Sequence, residues 1–209
     1  KEGVPGILDF INNHPVLVAG SSWEDDESIL IHFTKNRKDF KFIIAPHEIS
    51  KSNLQELKKE FKQSFFYSEI NNVTNISEYK VLIIDCIGLL SKLYQYATIT
   101  YVGGGFNSSG IHNTLEAAVY GKPVIFGPVY EKFAEAKGLV NANAAFSINS
   151  AIELEEKLFG NQHKIDKNKN GRIDREDFKM LRGRKYETKE GAKPDFLDLD
   201  DDGDKKEPM

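Results

Sequence analysis

The sequence is short of several things, and each shortage excludes something. It has one cysteine in 209 residues, Cys86, which leaves no intramolecular disulfide framework and fits a reducing compartment. No apolar stretch approaches the roughly 20 residues that a spanning helix needs, and no signal peptide opens the chain. Nor is there an excess of positive charge. Residues 161–209 hold 13 of the 28 Lys/Arg and 13 of the 32 Asp/Glu, so the net charge of −4 resides in residues 1–160. Neither part has the basic footprint of a nucleic-acid-binding protein. An initiation signal is also missing: Lys1-Glu2-Gly3 reads as an interior start, so the expectation is a piece of a longer protein.

What is present divides into two unequal parts. A hydrophobic content of 40% and a charged content of 29% are ordinary for a globular protein, and the length suits one α/β domain with an appendage. Through residues 1–160, short apolar runs alternate with helical patterns. The predicted strands are residues 15–19 (PVLVA), 40–45 (FKFIIA), 64–67, 81–85 (VLIID), 98–102 (TITYV), 124–126 (VIF) and 145–148. Helices are expected from residue 24 and over 53–61, 89–96, 113–120, 133–141 and 151–159. Apolar strands each followed by a helix specify a Rossmann-like α/β fold, a parallel sheet with helices on both faces. After Phe159-Gly160 the aliphatic residues thin out, and residues 161–209 read as a separate tail with acidic clusters, its acids and bases balanced overall.

In an open parallel sheet, ligands bind beyond the carboxyl ends of the strands. Four of those ends carry polar or glycine-rich segments: Gly20-Ser21-Ser22-Trp23, Pro46-His47-Glu48, Asp85-Cys86-Ile87-Gly88 and Gly103-Gly104-Gly105-Phe106. The richest stretch is residues 101–128. Its triple glycine permits a tight turn and close approach to a ligand. Gly110–Asn113 is expected to open a helix whose free N–H groups suit a phosphate or carboxylate, with Glu116 one turn further in, placed to accept from a ribose diol. Plainer readings stand beside these. His47 and His112 fit a loop histidine and a helix cap, Asp85 a cap for the helix after it, Trp23 packing at the sheet edge as readily as ligand contact, and residues 24–27 an acidic helix start matched to the helix dipole.

A family resemblance rests on these same segments. GGGF followed by GIHNTLEAAVYGKPVIFGP, with the preceding DCIGLLSKLYQYATITYVGG, VAGSSWEDDESIL and FIIAPHE, resembles the C-terminal domain of the 3-deoxy-D-manno-octulosonic acid (Kdo) transferases over roughly residues 6–158. These are GT-B glycosyltransferases of lipopolysaccharide assembly. The resemblance implies a CMP-Kdo donor site. Ser21 and Ser22 would stand at the phosphate or sugar carboxylate, and His47 at the cytidine or phosphate side. Gly104, Gly105, His112 and Asn113 would line the phosphate pocket, and Glu116 would hold the ribose. It implies no cofactor for transfer and no catalytic residue in this chain, since the general base, the lipid A precursor surface and the membrane anchor belong to the family's N-terminal domain. The implied location is cytoplasmic, at the inner face of the bacterial inner membrane. One departure is plain: the family often has Pro-Arg-His where this chain has Ala45-Pro46-His47, so the arginine is absent.

The tail carries a different pattern. Asp166, Asn168, Asn170, Arg172, Asp174 and Asp177 occupy positions 1, 3, 5, 7, 9 and 12 of an EF-hand-like calcium loop, with Gly171 at position 6. Aspartate at position 12, where glutamate is usual, is similar to dockerin loops. Residues 198–204 repeat the first half of the loop. Two other functional readings therefore compete: a calcium-binding scaffold carrying a degenerate glycosyltransferase domain, and half of another GT-B enzyme that uses a UDP-sugar.

Overall fold

The computed structural model describes residues 3–160. Seven strands form one sheet: β1 (Val16–Ser22), β2 (Lys41–Pro46), β3 (Ser64–Phe66), β4 (Val81–Ile83), β5 (Ile99–Val102), β6 (Val124–Phe126) and β7 (Ala145–Ser147). Their spatial order is β3-β4-β2-β1-β5-β6-β7, and every pairing is parallel. The seven helices are α1 (Ile7–Ile11), α2 (Glu24–Asn36), α3 (Lys51–Glu60), α4 (Leu90–Leu93), α5 (Leu115–Ala118), α6 (Ala134–Asn141) and α7 (Ala151–Phe159). Among the described residues, no helix is long and apolar enough to cross a membrane.

The strand sequences are apolar without alternation because both faces are covered. Val16, Val18, Ile43, Leu82 and Phe126 point to one layer, where Ile7 and Phe10 of α1, Leu93 of α4, Ala117 of α5 and Ala136 of α6 pack. Leu17, Ala19, Phe42, Ile44, Ile83 and Tyr101 point to the other, against Leu30 and Phe33 of α2, Leu57 of α3 and Leu154 of α7. Side chains alternate across a strand, so adjacent residues feed opposite cores.

All seven strands expected from the sequence form. The short helix α1 has no counterpart among the expected helices, several bounds shift by a residue or two, and three further differences bear on the site. β1 runs on through Ser22, with a register irregularity between Gly20 and Ser22 where Ser21 takes φ 53°. The helix expected over 89–96 is the single turn α4 followed by a 3-10 turn at Tyr94–Tyr96. The helix expected over 113–120 shrinks to α5. His112 N donates to Gly103 O at 3.0 Å, which ties residues 110–113 back to the end of β5. Asn113 Oδ1 then accepts from Leu115 N, an Asx turn that competes with an earlier helical start. The acidic tail and the EF-hand-like residues Asp166, Asn168, Asn170, Arg172, Asp174 and Asp177 lie outside the described residues.

Candidate donor site at the switch point

The chain leaves β1 for the face covered by α2 and leaves β5 for the face covered by α5, and the two strands are neighbours. Adjacent strands whose following helices depart to opposite faces open a crevice at their carboxyl ends, the place where doubly wound folds bind ligands. The residues of this crevice come from the turns after β1, β2 and β5.

Asp26 ties two of those turns together. It lies in the first turn of α2 and is fully buried. Its Oδ2 accepts from Trp23 N at 3.0 Å and from Gly104 N at 2.8 Å, and its Oδ1 accepts from the Tyr101 hydroxyl at 2.7 Å. Burial pushes the Asp26 carboxyl above the usual aspartate range, against the pull of those three donors. Burial and the neighbouring Asp26 charge push the Tyr101 phenol up as well. One residue on, Glu27 is buried and accepts from Ser22 Oγ at 2.9 Å. Burial raises its carboxyl too. The acidic run 24–27 is thus more than a dipole-matched helix start: its last two members hold the β1 and β5 turns.

Three rings stand over this latch. Trp23 stacks on His47 with centroids 4.3 Å apart, and His47 stacks on His112 at 4.6 Å. Trp23 Nε1 donates to His112 Nε2 at 3.0 Å, with the two ring planes within 11° of each other. His47 is held from below, its N donating to Ser22 O at 2.9 Å, while its ring is exposed. Burial, then the neighbouring His47, pushes the His112 pKa down, with the Asp26 charge opposing.

The glycines serve backbone packing as well as access. Gly104 takes φ +91°, and a Cβ there would stand 2.6 Å from Gly110 O. A Cβ on Gly105 would meet Gly127 N at 2.6 Å, so the turn after β5 lies directly on the turn after β6.

The other predicted site residues are distributed as follows. Ser21 is half-buried at the β1 irregularity, whereas Ser22 is buried and its hydroxyl is directed to Glu27. Asn113 and Glu116 are exposed at the start of α5 and bonded to each other, Nδ2 to Oε1 at 3.3 Å. The buried Tyr94 hydroxyl lies against Gly20 in β1, and burial, then the Glu116 charge, pushes its phenol up. Asp85 does not cap the helix after it. It accepts from Ser68 N at 3.0 Å and Ser68 Oγ at 2.5 Å and so closes the turn after β3. Cys86 is half-buried and free. Among the described residues, no group of three or more His, Cys, Asp or Glu is placed to hold a metal ion.

A doubly wound parallel sheet with glycine turns and stacked rings at its switch point is the architecture of a Rossmann-like ligand-binding domain. The comparisons with known proteins agree. No protein-family model matches the chain. Among curated proteins it is 33% identical over 150 residues to a 3-deoxy-D-manno-octulosonic acid transferase of Aquifex aeolicus, covering 68% of this chain and 40% of that protein. It is 32% identical over 151 residues to the transferase of the same name from Rickettsia typhi (69% and 32% covered). A bifunctional glycosyltransferase/methyltransferase of Fusobacterium nucleatum is 30% identical over 147 residues (69% and 23%). Among solved structures, the C-terminal CMP-Kdo binding domain of WaaA from Acinetobacter baumannii superposes with a TM-score of 0.60 at 20% identity, covering 81% of this chain and 90% of that one. The chain belongs to the Kdo transferase family of glycosyltransferases, and its fold is that of the solved C-terminal CMP-Kdo binding domain. It spans between about a quarter and two fifths of the length of these curated relatives.

Proposed function

We propose that residues 3–160 bind CMP-Kdo in the switch-point crevice and form the donor half of an enzyme that moves Kdo to a lipid A precursor. The observation that carries this reading is the convergence of Trp23, His47, Gly104 and His112 from the carboxyl ends of β1, β2 and β5, in a relative of the Kdo transferases. His47 and His112 offer ring donors and a stacking face to the nucleotide, while Ser21 and the amides around Gly105 face the phosphate or the sugar carboxylate. Glu116 and Asn113 accept from and donate to the ribose hydroxyls.

Glycosyl transfer passes through an oxocarbenium-like centre, so the donor half has to stabilise the departing phosphate. Hydrogen-bond donors fixed before the ligand arrives do this without reorganising. The Asp26 latch provides that rigidity. Deprotonating the acceptor hydroxyl needs a general base at the acceptor, which this reading assigns to the N-terminal domain of the family. On the same reading the whole enzyme works at the inner face of the bacterial inner membrane.

Titrating CMP and, separately, UDP into the protein by calorimetry tests the donor assignment. Saturable binding of CMP with weaker UDP binding is expected. Preference for UDP would move the chain to a UDP-sugar transferase, and no binding of either at millimolar concentration would remove the donor reading.

A further inference from the structure

The indole of Trp23 has one polar group, an N–H, which can only donate. Its partner at 3.0 Å is His112 Nε2, so that nitrogen must present a lone pair. In a neutral imidazole one nitrogen carries the proton and the other accepts. With Nε2 accepting, the proton is on Nδ1. Nδ1 makes no hydrogen bond to a protein group among the described residues, and the ring is half-buried at the crevice. We propose that Trp23 is a positioning residue that locks His112 as its neutral Nδ1–H form, leaving Nδ1–H as a single aimed donor for an anionic or carbonyl oxygen of the ligand.

The surroundings support the neutral form. Burial, then His47 stacked on the His112 face at 4.6 Å, disfavours a positive charge on His112. The Asp26 charge opposes this, but its oxygens are already engaged by Trp23 N, Gly104 N and the Tyr101 hydroxyl. Protonating Nε2 would place two donors head to head and break the Trp23 bond. The main chain beneath both rings is held independently of their contact, through His112 N to Gly103 O and Trp23 N to Asp26 Oδ2. Trp23 therefore determines which nitrogen is free and whether it is charged. The use of that free donor for a ligand rests on the donor-site reading; the tautomer does not.

Side-chain ¹⁵N NMR of the histidines in the full chain, with Trp23→Phe as the comparison, tests this. Phenylalanine keeps an aromatic ring beside His47 and removes the donor together with the rest of the indole's five-membered ring. At neutral pH the native protein is expected to show His112 Nε2 in the unprotonated range and Nδ1 in the protonated range. In Trp23→Phe the Nε2–H form should appear, and the His112 titration midpoint should rise by about half to one pH unit, the size of one neutral hydrogen bond. A native His112 protonated on Nε2, or a folded Trp23→Phe protein with unchanged tautomer and midpoint, would overturn the proposal. Backbone amide spectra establish whether the variant is folded; if it is not, the native tautomer alone decides. Adding CMP to both proteins separates the two claims. Loss of CMP binding on Trp23→Phe, with the native tautomer as expected, supports both. A native Nδ1–H form in a protein that ignores CMP upholds the lock and rejects the donor reading.

Discussion

Removing the Asp26 carboxylate is the sharpest probe of how the site is held. Asp26→Ala leaves three donors without their acceptor: the amides of Trp23 and Gly104 and the hydroxyl of Tyr101. A buried donor left unmade costs about 1–3 kcal/mol, and removing a carboxylate whose burial is itself unfavourable offsets part of the sum, so a loss of about 2–4 kcal/mol is expected. Asp26→Asn should cost about 1 kcal/mol, because its oxygen can still serve both amides while its NH₂ donates to the Tyr101 oxygen. The pH dependence supplies a second test. Burial holds the Asp26 carboxyl above its ordinary 3.8 in the folded chain. The folded state then binds the proton more tightly than the unfolded state. The stability linked to this group is full below pH 3.8 and is lost as pH rises through the raised folded value. Asn carries no such dependence, so Asp26→Asn should be most costly in acid and least costly near neutrality. Urea denaturation across that range measures both effects. Equal losses for Asn and Ala, or a cost of Asp26→Asn that grows with pH, would refute the reasoning, the latter because the three donors would then outweigh burial.

Other outcomes follow from the same geometry. Glu27→Gln keeps an acceptor for Ser22 Oγ and removes a carboxyl raised by burial above its ordinary 4.5, so the variant should gain on the native protein as pH rises past that value in the same denaturation series. Gly104→Ala places a side chain at φ +91° and 2.6 Å from Gly110 O; it should destabilise by about 1–3 kcal/mol and broaden the amide signals of residues 103–112. Phe33→Ala empties a fully buried position packed against Phe40, Phe42 and Phe159 and should cost about 3–5 kcal/mol by thermal melting while leaving ligand affinity unchanged in the fraction that is folded.

The parts legible in the sequence were those set by local pattern. Runs such as residues 81–83 and 99–102 are buried on both faces, so their unbroken apolar character marks them as parallel strands without reference to anything distant. The glycine turn after β5 was equally visible. Its purpose was only half readable, because whether a glycine yields to a ligand or to another loop depends on what lies 2.6 Å away, here Gly110 O and Gly127 N. The start of α5 was misplaced for a similar reason: the bond from His112 N to Gly103 O spans a turn that periodicity does not register. Asp26 reads in the sequence only as part of a helix start, and Trp23 stays between edge packing and ligand contact. An acidic helix start has the same spelling whether its side chains face water or reach 78 positions along the chain, as Asp26 does to Gly104. A hint was available in the lone tryptophan beside a strand end, next to acids followed by apolar Ile29 and Leu30, but only the packing of α2 shows which acids turn inward.

The central claim is that the crevice between β1 and β5 binds a cytidine nucleotide-sugar. An amide-resolved NMR titration with CMP tests it most directly. The account predicts saturable shifts concentrated at residues 21–23, 47, 103–105 and 110–116, with UDP weaker at the same sites. Shifts elsewhere on the fold, or none at millimolar CMP, would contradict it.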